Sequence, residues 1–214
     1  MSMVLIMGES GSGKTTAMRN LDPETTCYID ADKKGLSWKG WRQQYNKENK
    51  NYIVNDDPRV IAGYIGTIAD KCAHIKTIVV DTLNGLMIAE EMRRINEKGF
   101  DKWQDLATYI WKLIDICLDI QKTHPELDIV FLAHSETDRD DNGNLWTRMK
   151  TSGRKLSKMV PESKFTTVLL CRSENGKHFF ETNSNFSTAK SPMGALEPIV
   201  DNDIVPVLEA LREY

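Results

Sequence analysis

The sequence predicts an α/β fold, with a mostly parallel central sheet flanked by helices and an antiparallel hairpin edge late in the chain. Apolar runs of strand length alternate with segments of helical periodicity through the first two-thirds of the 214 residues, a pattern typical of βαβ units. Such units are joined by right-handed crossovers, which place their strands parallel in one sheet. Later segments are separated by short polar turns, as the strands of hairpins are. No break interrupts the chain, so we expect a single domain over residues 1–214.

Four buried strands are predicted in the parallel part of the sheet, because each is an apolar run that stops at a glycine or a polar residue. In chain order they cover residues 3–7, 25–30, 75–81 and 128–134. Helices are predicted from periodicity, from Pro58 in a first turn, and from stops such as Asp22-Pro23. They cover residues 13–20, 57–74, 84–98, 102–123 and 203–214.

Two hairpins are predicted in the last third of the chain. Residues 138–144 are a strong turn signal between two extended arms, and a Ser-Glu-Asn-Gly turn joins residues 165–172 to residues 177–182. A polar stretch at residues 33–51 is interpreted as an insertion rather than core, and it serves either as an assembly surface or as a cover for the sheet edge. Its aromatic residues are Trp38, Trp41 and Tyr45.

Charge and composition exclude several kinds of site. The net charge of −3 gives no global attraction to nucleic acid, so any such binding must rely on a local basic patch. The four cysteines are spread along the chain without a C-x-x-C pair, which argues against a zinc site and against a disulfide framework. The chain has neither a membrane-length apolar run nor the pattern of a secretory leader, so we expect a cytoplasmic protein without a membrane partner.

Residues 8–15, Gly-Glu-Ser-Gly-Ser-Gly-Lys-Thr, match the phosphate-binding pattern G-x-x-x-x-G-K-[ST]. The glycines permit backbone angles that turn consecutive N–H groups toward phosphate oxygens. Lys14 can reach the β- and γ-phosphates, the Thr15 hydroxyl can coordinate Mg²⁺, and Thr16 can contact the α-phosphate. The match lies between a predicted strand and a predicted helix, so we expect ATP and Mg²⁺ as cofactors. The candidate nucleotide-binding residues are Gly8, Glu9, Ser10, Gly11, Ser12, Gly13, Lys14, Thr15 and Thr16.

A second signal is the buried strand that ends in Asp81. Such a strand delivers its carboxylate to the carboxyl edge of the sheet, where ligands of open α/β folds bind. An acid at this position can also be an ordinary helix cap. Together with the phosphate loop, however, Asp81 is interpreted as the Walker B carboxylate, which holds Mg²⁺ opposite Thr15.

Hydrolysis also requires groups that orient and activate water. Asp30 and Asp32 flank Ala31 at the end of the second predicted strand, within reach of a γ-phosphate if that strand lies in the same sheet. His134 ends the fourth strand and could sense the γ-phosphate. The alternatives are an ordinary strand-to-loop turn for the acids and a structural role for the histidine.

These motifs resemble those of RecA-type ATPases. Residues 28–32 are similar to the RecA strand that ends in Ile-Asp-Ala-acid, and residues 77–86 are similar to its Walker B segment and following helix. The resemblance implies a RecA-like P-loop fold in which Asp32 is the catalytic carboxylate. It also implies that the strand ending in His134 lies between the phosphate-loop and Walker B strands, with histidine in place of the usual glutamine sensor. The candidate catalytic residues are Lys14, Asp32, Asp81 and His134.

Three further segments, residues 131–136, 150–156 and 187–192, resemble phage-encoded AAA-domain proteins with a RecA core. Some members of that group are single-strand annealing recombination proteins. The resemblance implies single-stranded DNA as a partner, a homo-oligomer in which a neighbour completes each site, and a single-strand-binding or other recombination protein as a further partner. A phage origin would place the protein in the host cytoplasm.

A basic segment runs from residue 148 to residue 158 without a single acid. Such a patch could neutralise several DNA phosphates, and Trp146 beside it could stack on a base. The alternatives are a solvated helix face or contact with a neighbouring subunit, for which Lys190 is a separate candidate. The candidate DNA-binding or trans-acting residues are Arg148, Lys150, Arg154, Lys155 and Lys190.

Three functions remain open from the sequence. The first is a Mg²⁺-dependent ATPase that acts on single-stranded DNA in recombination or annealing. The second is a P-loop kinase for a small molecule or nucleotide, although an arginine-rich lid is not found. The third is a nucleotide-gated binding protein with little turnover. A GTPase is disfavoured, because no Asn/Thr-Lys-x-Asp guanine-reading sequence occurs.

Overall fold

A computed structural model describes residues 2–97, 101–139, 143–152 and 158–214, with the backbone alone for residues 101–103. Within these residues nine strands form one sheet. The strands are β1 (Met3–Gly8), β2 (Thr26–Asp30), β3 (Tyr52–Val54), β4 (Thr77–Asp81), β5 (Asp128–Arg139), β6 (Leu145–Met149), β7 (Thr167–Glu174), β8 (Lys177–Glu181) and β9 (Ile199–Asp201). The α-helices are α1 (Trp41–Gln44), α2 (Pro58–Lys71), α3 (Leu83–Arg93), α4 (Asp101–Thr123) and α5 (Ile204–Glu213).

The strand order is β3-β2-β4-β5-β1-β7-β8-β9, with β6 paired to the outer half of β5. All pairs from β3 to β7 are parallel, whereas β7, β8 and β9 pair antiparallel. The predicted α/β fold with a late antiparallel edge is therefore confirmed. The predicted position of β5, between the phosphate-loop strand β1 and the Walker B strand β4, is confirmed as well.

The register of the strands brings the candidate residues to one edge of the sheet. Gly8 of β1 pairs with His134 of β5, and Asp30 of β2 pairs with Asp81 of β4. Because parallel strands point the same way, these four residues lie along the carboxyl edge. Such an edge is where open α/β sheets bind ligands.

Helices cover both faces of the sheet, because alternate residues of each buried strand point to opposite sides. Leu5 and Met7 of β1 face the layer formed by α2, α3 and α4, with Leu86 as one of its buried members. Val4 and Ile6 face a second layer that includes α5. The sheet is therefore buried from both sides, which explains why its central strands are continuous apolar runs.

The predicted helix at residues 13–20 is wrong. Only a 3₁₀ turn, Thr16–Met18, follows the phosphate loop. The N–H groups of Met18 and Arg19 bond to carbonyls three residues back rather than four, at 3.1 Å each. Positive φ angles persist to Gly13 and Pro23 lies close behind, and the segment between them forms this 3₁₀ turn rather than a regular α-helix.

The expectation that residues 33–51 lie outside the core is also wrong. Tyr45 is 1% exposed, and its ring meets that of Tyr28 edge-on with centroids 5.7 Å apart. Trp38 adds a second edge-on contact to Tyr45 at 6.0 Å. This aromatic cluster packs on one face of β2. The segment is polar in composition, which is why the sequence did not predict that it contributes to the core.

The remaining boundaries differ by a few residues. Strand β5 continues past His134 to Arg139 and forms the predicted hairpin with β6, and helix α3 ends at Arg93 rather than at residue 98. The terminal helix begins one residue late, because Asp203 is its cap and accepts a hydrogen bond from the Val205 N–H. No helix among the described residues has the length and apolar character needed to cross a bilayer.

Candidate functional site

The phosphate loop leaves β1 at Gly8 and turns through Gly11 and Gly13, whose φ angles are +80° and +105°. A side chain at Gly8 would place its Cβ 2.6 Å from the Cys171 carbonyl oxygen of the neighbouring strand β7. A Cβ at Gly13 would lie 3.0 Å from Nδ1 of His178. Glycine is therefore required at these positions by close packing and by backbone angle, as the sequence pattern predicts.

The side chain of Lys14 is folded onto the loop itself. Its Nζ donates to the carbonyl oxygens of Gly8 and Glu9, at 2.8 and 2.7 Å, and the residue is 6% exposed. Burial lowers the pKa of Lys14. The ammonium thus has strong local partners that phosphate oxygens can replace, because an ionised acceptor makes a stronger hydrogen bond than a neutral carbonyl.

A cavity of about 310 Å³ lies over the loop. It is lined mainly by residues of the predicted nucleotide set, together with His134 of β5. Three further lining residues lie outside that set, namely Lys34, Ser37 and His178. The loop, the sensor position and the segment after β2 therefore converge on one space.

Asp81 and Thr15 form the predicted pair at the base of this space. The Thr15 hydroxyl donates to Oδ2 of Asp81 at 2.8 Å, and the hydroxyl of Tyr28 donates to the same oxygen at 2.8 Å. Oδ1 of Asp81 is buried and has no hydrogen-bond partner among the described residues. Burial raises the pKa of Asp81, which a bound cation would oppose.

This donor set fits Mg²⁺. An orphaned carboxylate oxygen beside a threonine hydroxyl offers two oxygen ligands, and Mg²⁺ in nucleotide sites takes its other ligands from phosphates and water. Within the described residues no group of three or more His, Cys, Asp or Glu side chains could hold a metal. A Mg²⁺ site in which Thr15 and Asp81 supply two ligands and the nucleotide and water supply the others agrees both with this pair and with the lack of a larger ligand cluster among the described residues.

Asp32 lies beside Asp81 and is held at both oxygens. Oδ1 accepts from the Thr82 hydroxyl at 3.0 Å, and Oδ2 accepts from Nζ of Lys34 at 2.6 Å. Thr82 also caps helix α3, because its hydroxyl accepts from the Gly85 N–H at 3.0 Å. The start of α3 therefore orients Asp32 toward the site.

Asp30, the other acid of the pair, has a different environment. Its carboxylate accepts from the Tyr52 hydroxyl at 2.6 Å and from the Gly35 N–H at 2.8 Å, and the residue is buried. It joins β3 to the turn after β2. The two acids that the sequence could not separate by pattern alone are thus separated by their partners.

His134 lies at the predicted sensor position and lines the cavity. Its backbone N–H donates to Oδ1 of Asn84 at 2.7 Å, and its backbone carbonyl accepts from the Lys150 N–H at 2.7 Å. Asn84 in turn donates to the Lys150 carbonyl at 2.9 Å, which ties α3 to the outer half of β5. Burial and the nearby Lys14 lower the pKa of His134, so its ring is neutral near pH 7.

Sequence reasoning missed the residues that hold the loop from the side. Nδ1 of His178, in β8, donates to the Ser12 carbonyl at 2.7 Å, and the Cys171 thiol donates to the same oxygen at 3.1 Å. Asn202 donates to the Cys171 sulfur at 3.3 Å. These residues belong to late strands and loops without a motif of their own, so no pattern could have identified them.

Of the basic candidates, the structure describes Arg148, Lys150 and Lys190. Arg148 is paired with Glu136 at 3.0 Å and with Asp138 at 3.3 Å, across the β5–β6 hairpin. Lys150 is exposed, whereas Arg154 and Lys155 lie outside the described residues. The segment itself contains no acid, but two acids of β5, Glu136 and Asp138, neutralise Arg148.

Lys190 lies away from the phosphate loop of its own chain. It forms an antiparallel bridge with Val168, which pairs with Leu5 of β1. Leu5 precedes Gly8 by three residues, so Lys190 is displaced along the strands by about 10 Å from the carboxyl edge. A role in trans, at a neighbour's site, is compatible with this position and stays a prediction.

Comparison with known protein families gives one match. Residues 2–192 match the family described as AAA domain, which covers most of the 214 residues. No curated protein matches the chain at a significant level. The matched range contains the phosphate loop and the strands β1 to β8.

Proposed function

The chain belongs to the AAA domain family of P-loop ATPases, and we propose that it hydrolyses Mg²⁺-bound ATP and acts on single-stranded DNA in recombination or annealing. One observation carries the enzymatic part of the proposal. Lys14, Thr15 and Lys34 line one cavity, Thr15 and Lys34 bond to Asp81 and Asp32 respectively, and one carboxylate oxygen of Asp81 is buried without a hydrogen-bond partner among the described residues. A purely structural aspartate would not leave that oxygen unsatisfied, since the desolvation cost is about 1–3 kcal/mol.

Binding of the triphosphate follows from the loop. The loop N–H groups can bind phosphate oxygens, and the Lys14 ammonium can exchange its two carbonyl partners for them. Thr16 follows the loop directly and can contact the α-phosphate. Thr15 and Asp81 would hold Mg²⁺, which supplies charge that neutralises the phosphates when it is bound. The buried surroundings strengthen these interactions, because the local dielectric is lower than that of water.

Hydrolysis requires a base near the attacking water, and Asp32 fits this role. Its carboxylate accepts from Lys34, which lines the cavity, and Thr82 fixes its other oxygen. A carboxylate that is oriented by a second group can accept the proton of a water molecule as that water attacks the γ-phosphate. His134 lines the same cavity as a neutral side chain and can donate a hydrogen bond to a phosphate oxygen.

The part of the proposal that concerns single-stranded DNA has separate support. It comes from the RecA-like motifs and from the exposed residues that follow β5, where Trp146 is 36% exposed and Lys150 and Lys158 are exposed. Aromatic stacking and basic side chains are the usual means of binding single strands. An oligomer that is completed by Lys190 of a neighbouring copy, and a single-strand-binding or other recombination partner, belong to the same proposal.

One assay tests the proposed function. Phosphate release from ATP is measured with and without single-stranded DNA, at matched Mg²⁺, alongside a screen of small-molecule and nucleotide phosphoryl acceptors. We expect phosphate release that rises when DNA is added and that is abolished by EDTA. Duplex DNA of the same sequence is the control for a nonspecific polyanion effect.

The other outcomes identify the alternatives. Transfer of the γ-phosphate to an acceptor without a DNA effect would mean a kinase. Tight ATP binding with no phosphate release under either condition would mean a nucleotide-gated binding protein. Either result would overturn the proposal.

A further inference from the structure

Lys34 is a second lysine at the phosphate cavity, in the turn that follows β2. Its Nζ donates to Oδ2 of Asp32 at 2.6 Å and lies 3.8 Å from Oδ1 of Asp81, the oxygen that has no hydrogen-bond partner. Partial burial alone would lower the pKa of Lys34, but the carboxylates of Asp81 and Asp32 raise it. The contacts with Asp32 and Asp81 place the Lys34 ammonium at the metal end of the site.

The geometry of the cavity shows which end of a triphosphate Lys34 faces. Thr16, which follows the loop on the α-phosphate side, bonds through its hydroxyl to Ser37 at 3.0 Å. Lys34 is instead joined to Asp32 and Asp81, beside Thr15. Since the metal bridges the β- and γ-phosphates in P-loop sites, the end occupied by Lys34 is the γ end.

Lys34 has donors to spare for a phosphate. An ammonium carries three N–H donors, and among the described residues the Asp32 carboxylate is the one hydrogen-bond acceptor that Lys34 has. Half of the side chain is exposed, so the other donors are accessible from the cavity. The contact with Asp32 can remain while the other N–H groups reach phosphate oxygens.

We propose that Lys34 binds the γ-phosphate of ATP and is the residue by which the site distinguishes a nucleoside triphosphate from a diphosphate. The inference rests on the proposed function, because it assigns a further binding residue to the same nucleotide site. In the free protein Lys34 neutralises Asp32 and Asp81, and the γ-phosphate then adds an acceptor that a diphosphate lacks. A charge-assisted hydrogen bond of this kind changes affinity by about 10-fold or more.

Lys33 provides a matched control. It precedes Lys34 directly and carries the same charge, but it pairs with Asp56 at 2.5 Å and does not line the cavity. Lys33→Met and Lys34→Met therefore make the same change in net charge at neighbouring positions. A difference between them reports on position rather than on overall charge.

The experiment measures the affinities for ATP and ADP by calorimetric titration, in EDTA and again with Mg²⁺, for wild type, Lys33→Met and Lys34→Met. We expect Lys34→Met to weaken ATP binding about 10-fold or more while ADP affinity changes by less than about 2-fold. Unchanged ADP affinity also shows that the variant folds. ATP affinity equal to that of Lys33→Met would overturn the inference.

A double variant separates direct contact from the charge left on Asp32. In the Asp32→Asn/Lys34→Met protein that carboxylate charge is gone, and in the titration with Mg²⁺ a bound cation would compensate the charge of Asp81, so the loss of ATP preference then persists only if Lys34 touches the γ-phosphate. Recovery of the preference would assign Lys34 to neutralising Asp32 and overturn the inference. A wild-type protein that binds neither nucleotide would overturn the proposed function itself, whereas the other outcomes leave that function intact.

Discussion

At the scale of single residues, the two acids at the carboxyl edge are prepared for different tasks. Asp81 receives two hydroxyl donors on one oxygen and none on the other, which leaves that oxygen available to a cation. Asp32 has a donor on each oxygen, and one of those donors is a flexible lysine. The first arrangement suits a metal ligand, and the second suits a base whose orientation is held while its surroundings change.

Gly85 tests how closely Asp32 must be positioned. A Cβ at Gly85 would lie 2.2 Å from Oδ1 of Asp32 and 3.1 Å from the Ala31 carbonyl, so Gly85→Ala must displace the carboxylate. We expect turnover to fall by about 10-fold or more with ATP affinity nearly unchanged, because a misplacement of about 1 Å is costly in catalysis. Steady-state phosphate release and nucleotide titration measure the two quantities.

Gly66→Ala is the control for that substitution. Gly66 lies inside α2, and a Cβ there meets nothing within 4 Å. We expect wild-type turnover and a free energy of unfolding higher by about 0.5–1 kcal/mol, from the helix preference of alanine. A Gly85→Ala protein with wild-type turnover would contradict the position assigned to Asp32.

At the scale of elements, helix α2 is capped by an ionisable residue, Asp57. Asp57 accepts from the Arg59 N–H and from its guanidinium, and these bonds lower the pKa of Asp57 from 3.8 to about 2. A carboxyl whose pKa is lowered by folding stabilises the protein above about pH 4, and that stability is lost as the pH falls toward 2. The ionised Asp57 side chain therefore stabilises the fold at neutral pH, and protonation of the carboxylate in acid removes that contribution.

Asp57→Asn isolates this contribution, since asparagine still caps a helix but cannot ionise. We expect the variant to be less stable than wild type at pH 6, and the difference in free energy of unfolding to shrink between pH 4 and pH 2. Urea denaturation across this pH range measures it. A difference that stays constant with pH would show that the ion pair contributes nothing.

The aromatic cluster of Trp38, Tyr45 and Tyr28 acts as an element of the core. Tyr45→Ala removes a ring that is 1% exposed, and we expect a loss of about 3 kcal/mol in the free energy of unfolding. Tyr64→Ala, on the exposed side of α2, is the control and should cost less than about 1 kcal/mol. If urea denaturation shows the same loss of free energy of unfolding for both variants, residues 33–51 are a surface insertion and not part of the core.

At the scale of the whole molecule, the sheet order creates the site. Strand β1 supplies the loop, and the strands on one side of it supply His134, Asp81 and, after β2, Asp32. Strands β7 and β8 on the other side hold the loop through Cys171 and His178. The nucleotide site therefore depends on residues from most of the chain, although its motif occupies eight of them.

The sequence was sufficient for the features that are local in the chain. The phosphate loop, the acid at the end of β4 and the alternation of strands and helices are each written in a short window, so pattern and spacing predict them. Lys34 and Asn84 were missed because their importance comes from partners that the fold brings together. The helix after the loop was overpredicted, because the sequence pattern does not distinguish an α-helix from the 3₁₀ turn that forms at Thr16–Met18.

The most direct test of the account is Asp32→Asn, measured for both ATP affinity and phosphate release, with Lys14→Ala as the control that removes phosphate binding. Asparagine keeps the shape of the side chain but cannot take a proton from water. We expect Asp32→Asn to bind ATP within a few-fold of wild type while turnover falls by about 100-fold or more, and Lys14→Ala to lose both. Unchanged turnover in Asp32→Asn would contradict the account.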